Sequence, residues 1–338
     1  MKLRSRSVAA ALTALTVSLA VAGCGRGGDD EKSSGGAPGV TKEACPDAVD
    51  TSKGCIYLGT ITDLTATFKG VGEPFTAGQK AFWDQINKAG GIGDYEINTT
   101  KYVKDSAYDA KKHAELFNEM KDNILVLSQS LGTAPTEAIL KDATNEKILI
   151  GPASLGSNWI FDDTSIEVGA SYCTEAMNSV DYMADEGGKS VAVVHFPGDY
   201  GDDAMVGARI AAKERGLKFT DITTGTVDGG DNQAAAVAAV LKAKPDFVMI
   251  ATSPKEMAAV VGGTAAKGFK GKFIGSIPSG TRRCWLPMPA LRSRPFTCRH
   301  RRSRPGMRMC RVWRRCVRPP AARRRTTGSR SATAAATS

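Results

Sequence analysis

Short apolar runs alternate with segments whose apolar residues recur every three or four positions, and this alternation constrains the fold more than any other feature. The first run, residues 56–61, predicts a strand. Residues 74–88 then predict an amphipathic helix, with Pro74 near its first turn and Gly90 and Gly91 as its stop. Repeated strand–helix alternation is typical of α/β proteins with parallel sheets.

The alternation falls into two series, separated by residues 152–163, which fit neither pattern. The first series continues with strand 96–103, helix 108–121, strand 124–127, helix 135–143 and strand 147–150. The second consists of helix 172–186, strand 190–195, helix 202–215, strand 218–225, helix 233–243, strand 247–251, helix 254–267 and strand 272–275. Uniformly apolar strands such as 191–194 require a sheet that is covered on both faces. We therefore predict an α/β fold of two doubly wound parallel-sheet lobes, residues 45–157 and 158–280.

The charge of the chain is concentrated at one end. Residues 281–338 hold 17 of the 45 Lys and Arg residues, all of them Arg, and no acidic residue. Residues 1–280 therefore carry 28 basic and 35 acidic side chains, a net charge of −7, although the whole chain carries +10. The average charge is misleading here, so a basic nucleic-acid-binding body is excluded and we predict no nucleic-acid partner.

The N-terminus has the composition of an export signal. Lys2, Arg4 and Arg6 precede an apolar stretch, residues 8–22, that is too short to span a bilayer comfortably as a mature helix. This order of a charged region and a short apolar region is typical of a signal peptide, and we place it at residues 1–24.

The end of this signal resembles a lipoprotein processing site. Residues 19–24 read Leu-Ala-Val-Ala-Gly-Cys, which is similar to the bacterial lipobox, whose cysteine accepts diacylglycerol. We predict lipidation at Cys24, a flexible linker over 25–44, and a protein held by its lipid at the extracytoplasmic face of the cell membrane. An ordinary signal peptide with a chance cysteine is the alternative.

Cysteine usage agrees with an exported chain. Cys45 and Cys55 are ten residues apart, around Pro46 and Gly54, which predicts a local disulfide. Cys173 leaves two alternatives open: a buried thiol, or a residue whose partner belongs to sequence that is no longer present.

The loops that follow the predicted strands are the places to search for a ligand, because ligands of open parallel sheets bind beyond the carboxyl ends of the strands. These loops are rich in Ser, Thr and Gly. They comprise residues 62–72, 128–133, 151–157, 197–201, 252–253 and 276–279. Short hydroxyls and backbone amides suit a small polar solute, although the same residues are common in loops of any kind.

Several stretches resemble a known family. Residues 55–65 (CIYLGTITDLT), 75–81 (FTAGQKA) and 86–92 (INKAGGI) look like the opening of type I periplasmic binding proteins, in particular the leucine/isoleucine/valine-binding lipoproteins of ATP-binding-cassette (ABC) importers. The later matches are ILIGPAS at 148–154, VAVVH at 191–195 with DYG at 199–201, and PDFV at 245–248. Together they cover about residues 45–279.

The resemblance implies two lobes that close on a solute, with hydroxyls and backbone amides of the first lobe holding a carboxylate. Carried over by position, the first-lobe ligand-binding residues are Thr67, Ser130, Gly132, Thr133, Ser154 and Leu155. Those of the second lobe are Tyr200, Ser253 and Ser276. The acid that pairs with the ligand's ammonium in branched-chain amino-acid binders falls near Ile277, where none stands. An unpaired ammonium is costly in a closed cleft, so an amide or a short carboxylate is an alternative to a branched-chain amino acid.

The resemblance also implies a function. The protein would be the solute-binding lipoprotein of an ABC importer, with a small-molecule solute and the permease subunits as its partners. Ligand would stabilise a hinge-closed state that the permease recognises. The alternatives are a ligand-sensing domain for a signalling partner and a non-functional product of a frameshifted gene.

Enzymatic signals are weak. We expect His113, beside Lys111 and Lys112, to be solvated and His195 to be a satisfied structural side chain at the end of a strand. No Ser or Cys nucleophile stands in a recognisable motif, and no phosphate-binding loop is present. We therefore predict no enzyme, no cofactor and no metal.

The strand–helix alternation ends after Gly280. In a GC-rich gene, one restored nucleotide in front of codon 280 would give Trp-Asn-Pro-Ala-Leu-Leu-Ala, which resembles a family-like continuation. We therefore predict an incomplete second lobe and, over 281–338, an out-of-frame, disordered tail.

Two other interpretations of the tail are weaker. Its arginines could bind phosphate backbones or anionic lipid, but a lipoprotein body outside the membrane meets no nucleic acid. Five residues of the tail could be zinc ligands, but their spacing matches no paired-ligand motif. They are Cys284, Cys298, His300, Cys310 and Cys316.

Overall fold

The computed structural model describes residues 36–198, 200–224 and 233–280. All elements named below belong to the unit that starts at Ala37. The predicted signal peptide with Cys24, most of the predicted linker and the predicted tail lie outside the described residues. Within the described ranges, no helix has the length and apolar character needed to cross a bilayer.

The first lobe is built on one sheet. Parallel strands lie in the order β3-β2-β4-β5, and β1 pairs antiparallel with the first residues of β2. The strands are β1 (Val40–Thr41), β2 (Gly54–Thr62), β3 (Tyr95–Asp105), β4 (Val126–Leu131) and β5 (Ile150–Ala153). The helices are α1 (Lys69–Lys88), α2 (Ala110–Met120) and α3 (Thr133–Glu146).

The second lobe has a parallel sheet in the order β7-β6-β8-β9. Its strands are β6 (Ser190–His195), β7 (Lys218–Thr223), β8 (Phe247–Ala251) and β9 (Lys272–Gly275). Its helices are α4 (Tyr172–Asp185), α5 (Tyr200–Glu214), α6 (Ala234–Ala243) and α7 (Pro254–Ala266). A 3₁₀ turn, Ile277–Ser279, follows β9.

Strand β6 shows why the sequence predicts a sheet covered on both faces. Its residues 191–194 are fully buried, and successive side chains enter opposite cores. Val191 and Val193 pack in a core with residues of α4 and α5, whereas Ala192 and Val194 pack with residues of α6 and α7. The predicted doubly wound α/β fold is confirmed.

Helix α1 differs from its prediction. It begins at Lys69, five residues before Pro74, because the chain already turns at Asp63. The buried Asp63 carboxylate accepts the backbone N–H groups of Ala66 and Phe68, each at 2.6 Å, so the backbone is fixed before the proline. The predicted apolar face is also largely exposed, since half of the Phe75 side chain remains open to solvent.

The start of the first lobe also differs from the prediction. Val40 pairs with Ile56 across β1 and β2, so the predicted linker 25–44 includes residues of the sheet at its end. Gly39 allows this pairing, because a Cβ at this position would meet the backbone of Ile124 and Leu125 within 2.6 Å. A disulfide joins Cys45 to Cys55, the pairing that their spacing predicts.

Candidate functional site

A cleft of about 1160 Å³ lies between the two lobes. The first lobe contributes the segments after β2, β3, β4 and β5. The second lobe contributes the start of α4, the start of α5 and the 3₁₀ turn after β9. The lining residues are Phe68, Lys69, Gly70, Val71, Glu73, Pro74, Phe75, Tyr108, Leu131, Gly132, Thr133, Pro152, Ala153, Ser154, Leu155, Val168, Tyr172, Tyr200, Ile277, Pro278 and Gly280. The cleft therefore lies where the carboxyl ends of parallel strands meet.

The structure brings five of the nine predicted ligand-binding residues to this cleft. They are Gly132, Thr133, Ser154, Leu155 and Tyr200. The other four, which do not line it, are Thr67, Ser130, Ser253 and Ser276. The hydroxyls of Ser130, Ser253 and Ser276 instead form hydrogen bonds inside a lobe.

A chain of hydroxyls crosses the cleft floor from one lobe to the other. Thr133 is the first residue of α3, and its hydroxyl lies 2.7 Å from the Ser154 hydroxyl. The Ser154 hydroxyl in turn lies 3.3 Å from the Tyr172 hydroxyl of α4. Gly132 makes the turn into α3 possible, because its φ is 107° and a Cβ would meet the Tyr108 ring at 2.6 Å. These polar groups therefore bond to one another across the cleft.

Tyr200 is almost fully buried, and its hydroxyl bonds inside the second lobe rather than to the cleft. The hydroxyl donates to the carbonyl of Thr252 at 2.7 Å and lies 3.2 Å from the hydroxyls of Ser276 and Ser279. Burial raises the pKa of Tyr200 well above its ordinary value, so the hydroxyl stays protonated. Ser276 therefore supports the cleft wall through Tyr200.

Ser130 is part of a buried network inside the first lobe. Its hydroxyl lies 2.9 Å from Nε2 of His113 and 2.7 Å from the Thr136 hydroxyl, and all three residues are fully buried. The prediction of a solvated His113 is therefore wrong. His113, Phe117 and Met120 form the buried face of α2, at three- and four-residue spacing. Sequence reasoning missed this spacing because it judged His113 by its two neighbouring lysines. Desolvation lowers the pKa of His113 to about 3, so its imidazole is neutral.

Two other polar residues have structural contacts. Ser253 caps α7: its hydroxyl accepts the N–H of Glu256, and the Glu256 carboxylate accepts the N–H of Ser253 at 3.0 Å. His195 is buried at the end of β6, with Nε2 2.8 Å from the Asp221 carboxylate. His195 thus has the structural environment that the sequence predicts.

Aromatic rings form a continuous wall of the cleft, and those of Phe68, Tyr172 and Tyr200 are almost fully buried because they pack on one another across the two lobes. Phe68 lies 4.5 Å from Tyr108 and 6.4 Å from Tyr200, and Tyr200 lies 4.6 Å from Tyr172, measured between ring centroids. Sequence reasoning missed Phe68, Tyr108 and Tyr172 because it searched the post-strand loops for hydroxyls. The sequence does contain a signal for two of them, since Phe68 and Tyr108 lie in the segments that connect β2 to α1 and β3 to α2.

The cleft carries little charge. Among its described lining residues, Lys69 and Glu73 are the charged ones, and they form an exposed pair at 3.4 Å on α1. Glu175 of α4 lies behind the lining and accepts the N–H of Ile277 at 2.8 Å. Burial raises the pKa of Glu175 to about 7. No group of three or more His, Cys, Asp or Glu side chains in the described ranges is arranged to hold a metal ion.

The sequence matches the family model described as "Periplasmic binding protein" over residues 56–287. The chain belongs to the periplasmic binding protein family. The resemblance drawn from the sequence is thereby confirmed, and the match covers both lobes of this periplasmic binding protein. No protein with a curated description matches the chain.

Solved structures support the same fold for this periplasmic binding protein. A fatty acid ABC transporter substrate-binding protein from Thermomonospora curvata is 25% identical, with a TM-score of 0.65, over 73% of this chain and 61% of that one. A branched-chain amino acid ABC transporter protein from Thermus thermophilus with bound valine is 21% identical, with a TM-score of 0.61, over 68% and 60%. The leucine-binding protein from Thermotoga maritima is 14% identical, with a TM-score of 0.60, over 68% and 65%. The chain thus spans about three fifths of the length of these structures.

Proposed function

We propose that this protein is the extracytoplasmic solute-binding component of an ABC importer and that it encloses a small solute between its lobes. The observation that carries the proposal is the cleft of about 1160 Å³, lined by post-strand segments of both lobes. Membership of the periplasmic binding protein family supports it. The permease subunits are the proposed partners, and lipidation at Cys24 is the proposed membrane anchor.

The walls of the cleft favour a solute with an apolar body. Phe68, Tyr108, Leu131 and Leu155 are among the lining residues, and the polar side chains Thr133 and Ser154 already bond to each other. An ammonium group would find no unpaired acid among the described lining residues. The structure from T. curvata is named for fatty acids, which agrees with this character. We propose a monocarboxylate with an apolar chain as the solute.

The carboxylate has a suitable place at the start of α3. The N-cap residue of this helix, Gly132, provides no side-chain cap, and the first turn of the helix holds no acidic residue. Exposed N–H groups at a helix N-terminus attract anions. The Thr133 hydroxyl stands beside them, and its bond to Ser154 would exchange for one to the carboxylate. The apolar chain of the solute would then extend along the aromatic wall.

Closure of the lobes would supply the affinity. The volume of the cleft exceeds the roughly 300–1,000 Å³ of sites that bury most of a ligand, so a small solute would not fill it. A solute that contacts both lobes binds the closed state more tightly than the open one and shifts the population towards it. The rings of Phe68, Tyr172 and Tyr200 already pack together across the lobes. Closure would therefore act through the more exposed lining residues, such as Tyr108 and Leu155 of the first lobe and Ile277 of the second.

Calorimetric titration of the full chain with dodecanoate, dodecanol and leucine tests the proposal. We expect dodecanoate to bind more tightly than either of the others. Tyr108→Ala should weaken this binding about tenfold, because a ligand covering about 60 Å² of the ring loses about 1.5 kcal/mol. Tyr102→Ala is the matched control, since Tyr102 packs on Tyr57 and does not line the cleft. Equal effects of the two variants, or no binding of any probe, would contradict the proposal.

A further inference from the structure

We propose that Glu175 is a positioning residue that holds the second-lobe wall of the cleft in place and thereby sets the affinity for the solute. The proposal rests on the proposed function, because it concerns the same cleft. It assigns a role to a residue of α4 that does not line the cleft and that no sequence motif singles out.

The contact that carries the inference joins two segments far apart in the chain. Oε1 of Glu175 accepts the N–H of Ile277 at 2.8 Å, across a separation of 102 residues. Oε2 of the same carboxylate is buried and has no hydrogen-bond partner among the described residues. Within the described ranges, the Glu175 carboxylate therefore bonds only to the 3₁₀ turn Ile277–Ser279.

This turn forms the second-lobe wall. Ile277, Pro278 and Gly280 line the cleft, and the Ile277 side chain is 64% exposed there, available for a solute to cover. The far end of the turn is fixed by Ser279, whose hydroxyl donates to the carbonyl of Thr252 at 2.7 Å. At the near end the Ser276 N–H donates to the Ile250 carbonyl at 2.9 Å, and the next N–H, that of Ile277, is the one that Glu175 accepts.

Ser276 precedes the turn but does not cap it. No side-chain hydrogen bond caps the turn at this position, because the Ser276 hydroxyl lies 3.2 Å from the Tyr200 hydroxyl and 3.0 Å from the Ser279 hydroxyl. Glu175 therefore supplies the acceptor for the first N–H of the turn. Without it, Ile277 would lose its link to α4, and the solute would have to order this wall at a cost in affinity.

The acceptor oxygen, rather than the negative charge, is what this geometry requires. A glutamine at 175 can place an amide oxygen at the same position, whereas an alanine cannot. Burial also opposes the charge, since desolvation raises the pKa of Glu175 to about 7. The conservative variant therefore separates positioning from electrostatic recognition of the solute.

Three full-length variants test the proposal: Glu175→Ala, Glu175→Gln and, as a matched control, Asp181→Ala. Asp181 is another acid of α4, and it pairs with Arg215 instead of contacting the turn. Hydrogen exchange of the Ile277 amide, measured without ligand, reports on the turn. Titration with dodecanoate reports on affinity. Glu175→Ala should speed exchange and weaken binding, each about fivefold, as expected for the net loss of one hydrogen bond of about 1 kcal/mol.

Glu175→Gln and Asp181→Ala should stay within about twofold of the wild type in both measurements. Unchanged exchange at Ile277 in Glu175→Ala would overturn the proposal. Binding as weak in Glu175→Gln as in Glu175→Ala would also overturn it, because the carboxylate would then act through its charge. If the wild-type chain binds no probe while exchange responds to Glu175→Ala, the proposed function fails and the positioning of the turn is supported on its own.

Discussion

Acidification should destabilise the first lobe through His113. The side chain is fully buried on α2, and desolvation lowers its pKa from the ordinary 6.5 to about 3. At a pH between these two pKa values, the His113 imidazole is protonated in the unfolded chain and neutral in the folded chain. The contribution of His113 to the free energy of unfolding is therefore complete above pH 6.5 and is lost as the pH falls from about 6.5 towards 3.

Linkage gives the size of this effect. Each pH unit well below 6.5 costs about 1.4 kcal/mol, so the loss between pH 7 and pH 5 is about 2 kcal/mol. Glu167 and Glu175 act in the opposite direction, because burial raises the pKa of each to about 7 and the folded chain binds their protons more readily. The difference between wild type and a His113 variant, rather than the total pH dependence, isolates the histidine.

Urea unfolding of wild type, His113→Gln and Lys112→Gln at pH 7, 6 and 5 measures this difference. Glutamine does not titrate and keeps a polar group near Ser130, and Lys112 is an exposed neighbour on the same helix. We expect wild type to lose about 2 kcal/mol relative to His113→Gln between pH 7 and pH 5, and Lys112→Gln to follow wild type. A difference that stays constant within about 0.5 kcal/mol would refute a buried, neutral His113.

Three further predictions concern the two lobes and the gene. Gly207→Ala should destabilise the protein, because its Cβ would meet the Cys173 carbonyl oxygen at 2.1 Å. Gly78→Ala, whose Cβ would meet nothing within 4 Å, should stabilise helix α1 by up to about 1 kcal/mol. Thermal melts of the two variants distinguish these opposite effects. Ser253→Ala should cost about 1 kcal/mol in urea unfolding through loss of the α7 cap, and equal stability would contradict the capping role. Sequencing the gene across codon 280 should reveal a family-like reading frame one nucleotide away, and its absence would end the frameshift hypothesis.

The strand–helix order of both lobes could be predicted because it depends on local periodicity. Strand β6 has apolar side chains on both faces, and a chain with this pattern needs helices on both sides of its sheet whatever its other contacts are. The start of α1 could not be predicted in this way. It depends on Asp63, whose carboxylate folds back on the N–H of Phe68, and a single aspartate in a loop carries no periodic signal.

The position of the cleft could be predicted, but only part of its lining. Post-strand loops gather at one edge of a parallel sheet, so Thr133 and Ser154 meet there as expected. Ser130 falls in the predicted loop 128–133, but the structure places it in strand β4, with its hydroxyl directed into the lobe towards His113. A shift of one residue along a strand reverses the direction of a side chain, and loop composition does not reveal that shift.

The amino-acid sequence by itself determined the two α/β lobes, the family and the edge of each sheet at which a solute would bind, because all of these follow from short-range patterns and matched stretches. Only the tertiary structure decided which side chains serve the cleft. The aromatic wall of Phe68, Tyr108, Tyr172 and Tyr200 and the bond from Glu175 to Ile277 join residues that are far apart in the chain. Such contacts depend on how the helices pack and rotate on their sheets, which local sequence does not specify.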